Sequence, residues 1–562
     1  MNIPAIYHRA ESNYCFALDG KTVVLRIRFS KEDVPDRVSV LYNNKYDIAR
    51  HQYRQQLHHL CDDSWYSYYS TVLHLKDSRL AYVFEICHDN KVQYFCEYGI
   101  TEQYDFNVAY LNSFQYAYIN ANDITQNVPW LNNAVFYQVF PDRFYKASQK
   151  DEGYINSRWG QLPDPKSFYG GDLDGITSKL DYIKSLNVNA LYLTPVFCGI
   201  SNHKYDIYDY YNVDPMFGGN QALKRLVEGC HKRGIRVVLD AVFNHISDRS
   251  VQFQDVLKRG KQSPYFNWFV IEGDKINEQR DNYCQFASCP YMPKLDTSVR
   301  EVQQYFIDVA TYWIKKYDID GWRLDVSDEV SHDFWRMMRK AVRRVKSDAV
   351  LIGENWHNSE SYLNGDQFDS IMNYAFTKQM IDYFVREKID EVQLALQLNG
   401  LLMRYTDTTN NMMFNLLDCH DTDRFYSLVK CDKDKYLCAL AMSVFMPGSC
   451  NIYYGDEIMT EGGYDPDNRR TFDWNRLNDC EVKQFVQQLT SLLALKQQPA
   501  LQRGDVKISG EKGVFVIKRS CDVQTILLTV SREKGVYIEE GHGNGVAEEK
   551  SNKYFLIQGR LK

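Results

Sequence analysis

The 562-residue sequence predicts an α/β fold. The expected architecture is a (β/α)8 TIM barrel with a subdomain inserted after its third strand, flanked by an N-terminal and a C-terminal β-sandwich. Three observations carry this. Short β-branched and aromatic runs separated by turn residues fill positions 1–120. Further on, apolar strand-like runs alternate with amphipathic helical runs. Four of these strand-like runs end in carboxylate, imidazole or guanidinium side chains. Active sites of such barrels sit at the C-terminal ends of the strands.

In chain order, TVVLRIRF (22–29), RVSVLYN (37–43), YSTVLHL (69–75), RLAYVFEI (79–86) and KVQYFCE (91–97) read as strands of the first module, 1–120. A linker containing Asn-Val-Pro-Trp (127–130) follows and opens the catalytic region, 121–502. Its eight candidate strands are AVFYQVF (134–140), NALYLTPV (189–196), IRVVLDAV (235–242), GWRLDV (321–326), AVLIGEN (349–355), FDSIMN (368–373), MMFNLL (412–417) and CNIYYGD (450–456). Each is expected to precede a helix, as in ITSKLDYIKSL (176–186), ALKRLVEGCHKRG (222–234) and SVREVQQYFIDVATYWIKKY (298–317). The long piece at 246–297, after the third strand, reads as an inserted subdomain over the barrel mouth. VKISG (506–510), GVFVIKRS (513–520), QTILLTVS (524–531) and KYFLIQG (553–559) read as the closing β-domain, 503–562.

Composition narrows the function. The formal net charge is -7 and the pI about 6.0. That leaves no basic surplus to neutralise a nucleic-acid backbone. The 42 tyrosines offer flat apolar faces with polar tips, which suit a hydroxylated ligand as well as they fill cores. The 14 cysteines form no CxxC pair and no zinc-type cluster, so they read as reduced thiols in a cytoplasmic protein. No secretory signal and no membrane-spanning apolar run is visible.

The strand ends carry the chemistry. In GWRLDVSDE (321–329), Arg323 and Asp325 are two apart and share a strand face. An arginine so placed aims a carboxylate and favours its ionised form, although a structural ion pair has the same appearance. The third strand ends in Asp240 and His245, the fifth in Glu354, Trp356 and His357, and the seventh runs into His420 and Asp421. Four such ends at one rim are hard to account for structurally, because unpaired buried charge is costly. Carboxylates and imidazoles without a metal-ligand set point to glycoside chemistry, which needs two carboxyl groups flanking the bond. Asp325 is the expected nucleophile. Glu354, set between an apolar strand and Trp356, is the expected general acid, because partial desolvation raises its pKa. Asp421, His420 and His245 remain to grip hydroxyls and to stabilise positive charge.

These motifs resemble glycoside hydrolase family 13, the α-amylase family. The resemblance rests on DAVFNH (240–245), GWRLDVSDE (321–329), GENWH (353–357) and NLLDCHDTDR (415–424), with YGGDLDGI (169–176) and HKYDIYDYYNVDPMFGG (203–219) beside them. MPKLD (292–296) and the N-terminal module resemble the neopullulanase, cyclomaltodextrinase and maltogenic amylase group. The resemblance implies Asp325 as nucleophile, Glu354 as acid/base and Asp421 as transition-state stabiliser in a retaining mechanism, with the two reacting carboxyl groups roughly 5–5.5 Å apart. It implies that Tyr205, His203, Asp206, His245, Arg323 and His420 line the same subsite. Asp465 and Arg469 in GGYDPDNRR (462–470) would also bind substrate, and Glu329 and Trp356 would border the acceptor side. The implied substrates are cyclodextrins, malto-oligosaccharides and pullulan, cut at α-1,4 bonds with some transfer to sugar acceptors, and the implied assembly is a homodimer. No cofactor is required. Where relatives carry a calcium loop, this chain has YKASQKDEG (145–153), whose Lys146 and Lys150 bring positive charge, so the calcium site is expected to be weak or absent. An α-1,6-acting or exo-acting glucosidase of the family is the alternative. A non-catalytic binding relative is disfavoured by the complete set of carboxylates.

Overall fold

Eight parallel strands close into a barrel in a computed structural model that describes residues 1–147, 153–542 and 552–558. They are β1 (Val135–Val139), β2 (Ala190–Leu193), β3 (Arg236–Ala241), β4 (Gly321–Leu324), β5 (Val350–Gly353), β6 (Ser370–Ile371), β7 (Phe414–Asn415) and β8 (Ser449–Tyr453). Their order is β6-β5-β4-β3-β2-β1-β8-β7, and a parallel bridge between Met372 and Phe414 joins the two ends. All eight expected strands are present. Each is shorter than its apolar run, because the rim residues leave the ladder to form loops.

The period of two along each strand sorts the side chains. Phe136, Ala190, Tyr192, Val238, Val350, Ile352 and Phe414 form an apolar cluster inside the barrel. Their neighbours Val135, Tyr137, Leu191, Val237, Leu239, Trp322, Leu324 and Leu351 pack in the surrounding core. Two residues on from the inner layer come Gln138, Asp240 and, beyond Gly321, Arg323. The β3–β4 register sets Asp240 directly beside Arg323. A polar layer therefore caps an apolar one, at the C-terminal end where the substrate site belongs.

The outer ring contains α1 (Leu173–Ser178) and α2 (Leu180–Ser185) after β1, α3 (Gly219–His231) after β2, α4 (Arg300–Tyr317) after β3 and α5 (His332–Val345) after β4. After β6 come α6 (Tyr374–Met380) and α7 (Glu391–Leu402), after β7 α8 (Lys433–Phe445) and after β8 α9 (Cys480–Ala494). One expectation is corrected here. The segment between β5 and β6 holds only a 3-10 turn at Glu360–Tyr362, so one strand lacks its helix. The single run expected at 176–186 is also split, into α1 and α2, at Lys179. The inserted piece contains one α-helix, Val251–Arg259, and otherwise folds back on itself through bridges such as Phe269–Leu295 and Ile271–Tyr283. A further bridge, His245–Lys294, ties it to the end of β3.

The N-terminal module contains nine strands. Val23, Leu25, Ile27 and Phe29 of one layer pack against Val38, Val40, Tyr82, Phe84 and Ile86 of the other. Tyr53–Asp62 runs between them, pairing with Arg37–Asn43 on one side and Tyr66–His74 on the other, with a register shift between His59 and Cys61. The sequence reading missed this strand because YRQQLHHLCD is largely polar and lies mostly at the surface. Buried Arg26 ties the module to the barrel. Its Nη1 donates to the carbonyl oxygens of Asn13 and Tyr405, both at 3.2 Å, and it pairs with Asp407.

The C-terminal β-domain is a five-stranded antiparallel meander among the described residues, and includes Gly535–His542, which the sequence reading missed. Its Phe515, Ile517, Ile526 and Leu528 join the core that surrounds the barrel, so barrel helices cover its inner face in place of a second sheet. Lys150 of the 145–153 loop and Gly559 of the last expected strand lie outside the described residues. No helix among the described residues is long and apolar enough to cross a membrane.

At Gly321 a Cβ would meet the Val350 carbonyl oxygen at 2.4 Å, so only glycine lets β4 pair closely with β5. Gly321→Ala is expected to cost about 1–3 kcal/mol through overpacking, seen by calorimetry as a lower Tm. Gly541→Ala, whose Cβ meets nothing within 4 Å, serves as the control and should leave Tm near that of the parent.

Candidate active site

The site is organised by one guanidinium. Arg323, 2% exposed at the top of β4, donates through Nη1 to Asp325 Oδ1 at 2.8 Å and to Asp240 Oδ1 at 3.0 Å. Its Nη2 lies 2.9 Å from Glu354 Oε2 and 3.8 Å from Asp421 Oδ2. Nη2 makes no well-directed hydrogen bond among the described residues, so its contact with Glu354 is ionic rather than a pointed N–H···O bond. Asp240, Asp325, Glu354 and Asp421 come from four different strand ends.

The two expected reacting carboxyl groups are held differently. Asp325 is anchored through Oδ1, and its Oδ2 is buried with no partner among the described residues. Glu354 accepts from the Val326 backbone N–H at 2.9 Å on Oε2 and from Trp356 Nε1 at 3.2 Å on Oε1. The first of these bonds depends on strain. Val326 has φ 44°, a left-handed conformation that is an outlier for a β-branched residue. That turn directs the N–H after Asp325 at Glu354. Trp356 is stacked flat on Tyr374, with ring centroids 3.7 Å apart and 7° between planes.

Burial dominates the electrostatics. It raises the pKa of Asp325, Glu354 and Asp421, and Arg323 opposes the rise in each. Asp240 is likewise pushed up, to about 6. This corrects the sequence-level picture of an arginine that keeps Asp325 ionised. Arg323 is divided among buried Asp240, Asp325 and Glu354 and the partly exposed Asp421, and only Asp421 has a second guanidinium, Arg469, beside it, so the pKa values of all four carboxyl groups stay displaced upward. A site that needs one proton donor and one anionic nucleophile has both available in such a cluster.

The imidazoles are neutral. Burial lowers His245 and His203 to about 3, with nearby cations adding to the effect at both. His420 is lowered by burial and then by Arg323 and Arg469. His245 stacks on Phe286 of the inserted piece at 4.6 Å, and its Nε2 is buried without a partner among the described residues. His420 Nδ1 meets Gln138 Nε2 at 2.7 Å, and its Nε2 contacts Tyr205 Oη and lies 3.2 Å from Asp421. The Tyr205 and His420 rings lie parallel at 5.5 Å, and Tyr205 Oη donates to Asp240 at 2.9 Å.

The remaining expected residues divide into two sets. Arg469 lies 3.7 Å from Asp421 and pairs with Asp465 at 3.0 Å, so both belong to the cluster's edge. His203 sits one layer back, with its Nδ1 accepting the Tyr205 N–H at 3.1 Å. Asp206 does not face the cluster. Its carboxylate accepts from the N–H groups of Ile200 and Ser201 and holds the 199–206 turn. Glu329 is half-exposed and lies 3.5 Å from Lys294, away from Arg323. The sequence reading left out Gln138 and Tyr192 and set Asp240 at the rim without giving it a role, although Tyr192 Oη donates to Asp240 at 2.6 Å. The available signal was a polar atom at an inward position of an otherwise apolar strand.

Among the described residues, Cys419, His420 and Asp421 group closely enough to suggest a metal site. Two guanidinium groups beside Asp421 argue against a cation there. The expected calcium loop at 145–153 lies partly outside the described residues, and Asp142 stands at its approach. The Asp142 carboxylate already accepts from Arg143 Nε at 2.7 Å and from the N–H groups of Tyr169 and Gly170 at 3.1 and 2.9 Å.

Residues 138–491 match the family described as the α-amylase catalytic domain, and residues 1–120 match the α-amylase N-terminal immunoglobulin-like domain. The cyclomaltodextrinase of Thermoanaerobacter pseudethanolicus is 37% identical over 548 residues, 96% of this chain and 94% of that one. The intracellular maltogenic amylase of Bacillus subtilis is 38% identical over 503 residues, 89% and 85% of the two chains. Neopullulanase 2 of Thermoactinomyces vulgaris is 37% identical over 514 residues, 90% and 86%. A solved cyclomaltodextrinase structure superposes with a TM-score of 0.89 at 37% identity, covering 95% of this chain and 92% of its own. A cyclic α-maltosyl-(1→6)-maltose hydrolase from Arthrobacter globiformis gives a TM-score of 0.70 at 36% identity, covering 73% and 93%. The chain belongs to the α-amylase family of glycoside hydrolases, within the group of cyclomaltodextrinases, maltogenic amylases and neopullulanases.

Proposed function

We propose that this enzyme is a retaining α-glucan hydrolase that opens cyclodextrins and cuts α-1,4-glucosidic bonds in malto-oligosaccharides and pullulan, passing some glycosyl groups to sugar acceptors. The observation that carries the reading is the Arg323 cluster, with Asp325 Oδ2 buried and unpartnered among the described residues beside a Glu354 whose pKa burial raises. Asp325 Oδ2 attacks the anomeric carbon and forms an ester bond to it. The bond to the leaving oxygen breaks, and Glu354 gives that oxygen its proton. Glu354 then takes a proton from water, or from a sugar hydroxyl, as that oxygen displaces Asp325. Asp421 lies where it would stabilise the positive charge of the sugar ring, and the neutral imidazoles of His245 and His420 would bind its hydroxyls. The substrate range is supported by the relatives named cyclomaltodextrinase, maltogenic amylase and neopullulanase. The likeness to the cyclic α-maltosyl-(1→6)-maltose hydrolase supports cyclic oligosaccharides that contain an α-1,6 linkage as further substrates.

The enzyme is proposed to work without calcium, since Asp142 is engaged by protein donors. It is further proposed to act in the cytoplasm as a homodimer. All 14 cysteines are unpaired and one relative is named intracellular, which supports the compartment.

Chromatography of the products from β-cyclodextrin, pullulan and soluble starch at equal mass should show fastest turnover of cyclodextrin, with panose from pullulan. Maltotriose as the main pullulan product, which α-1,6 cleavage releases, or starch cut faster than cyclodextrin, would count against the proposal. Glu354→Gln should lower kcat on cyclodextrin by ~10²–10⁴-fold, with much less loss on maltosyl fluoride, whose leaving group needs no proton. Asp325→Asn should lose both activities. The acid limb of the parent kcat/KM profile should lie above the ordinary carboxylate range near pH 4, because the raised pKa of Asp325 keeps the nucleophile protonated to higher pH. EDTA should change neither Tm nor rate. Light scattering on the same sample should give twice the 66.0 kDa chain mass.

A further inference from the structure

We propose that Asn468 is a positioning residue that sets the place of Asp421 by clamping the turn on which it stands. Asn468 is fully buried in the loop after β8. Its side-chain Nδ2 reaches three backbone carbonyl oxygens of the β7 loop: Thr422 at 2.7 Å, His420 at 2.8 Å and Cys419 at 3.3 Å. These carbonyls flank Asp421 on both sides. The chemistry fixes the orientation of the amide, because the opposite flip would set an oxygen against three carbonyl oxygens. The Asn468 Oδ1 finds no partner among the described residues, so the side chain serves as a donor.

The clamp is itself held. The Asn468 carbonyl oxygen accepts from Arg424 Nε at 2.9 Å, and Arg424 pairs with buried Asp456 at 3.2 Å. The Arg424 backbone N–H donates to Gly462 O at 3.0 Å, which closes the two loops on each other. A Cβ at Gly462 would lie 2.8 Å from the Asn468 Cα, so the β8 loop packs on itself with no space to spare. Next along the chain, Arg469 Nε donates to His420 O at 2.9 Å while its Nη2 faces Asp421. The turn bearing Asp421 is therefore fixed through its backbone, and the carboxylate itself stays free to meet the substrate.

The inference rests on the reading of Asp421 as transition-state stabiliser, and the test separates the two. Asn468→Ala and Asn468→Ser are compared with the parent for kcat and KM on β-cyclodextrin, for Tm, and for inhibition by a maltosyl-type amino sugar whose protonated nitrogen mimics the anomeric charge. The expected result is a loss in kcat of ~10–100-fold with KM changed less than threefold. The amino-sugar Ki should weaken by a factor similar to that in kcat/KM, and Asn468→Ser should retain more activity than Asn468→Ala. In an Asp421→Asn background, followed with maltosyl fluoride, Asn468→Ala should add little further loss. Parent-like kcat in both Asn468 variants would overturn the proposal, as would a loss that multiplies in full with that of Asp421→Asn. If Asn468→Ala does not fold, the same two criteria apply to Asn468→Ser. Full activity in Asp421→Asn alone would instead refute the role given to Asp421.

Discussion

The site depends on one buried cation. Arg323 faces carboxylates from four strand ends, and without it the barrel mouth would hold mutually repelling acids in a medium that solvates them poorly. Removing charge from water is expensive for each ion, and Arg323, joined only at Asp421 by Arg469, cannot fully compensate four carboxylates. The cluster responds by keeping protons, which is the direction burial drives Asp240, Asp325, Glu354 and Asp421 alike. Electrostatic frustration of this kind gathers carboxyl groups with upward-displaced pKa values at one barrel mouth.

The fold supports that arrangement in layers. Apolar side chains fill the lower barrel, and the next inward position of β1, β3 and β4 carries Gln138, Asp240 and Arg323. Their neighbours in register then pair instead of competing for water that is absent. Above this layer the strands end, and individual loops take over the positioning. The left-handed Val326 aims a backbone N–H at Glu354, and the inserted piece lays Phe286 on His245. The β8 loop grips the β7 turn. Each device works through backbone or ring contacts.

Much of this could be read from the residues alone. The alternation of strand and helix runs marked all eight barrel strands, and Arg323 with Asp325 two residues on already indicated an aimed carboxylate. The polar strand Tyr53–Asp62 was invisible, because a strand paired on both sides but largely solvent-facing through its side chains carries no apolar period. The missing helix after β5 was equally hidden, since a sequence run does not reveal which strand is left uncovered. Asp206 and Glu329 share motifs with residues that gather round Arg323, but Asp206 is hydrogen-bonded within its own turn and Glu329 lies half-exposed beside Lys294.

The sequence by itself determined the barrel, the four charged strand ends and the chemistry those residue types can perform, because each is written in local periodicity and residue identity. Only the tertiary structure decided that one arginine serves four carboxylates, that Asp325 keeps one oxygen free and that Asn468 clamps the turn of Asp421. Apart from the Arg323–Asp325 pair, these are relations between residues 31 to 98 positions apart, and a local pattern carries no record of distances set by closure of the barrel.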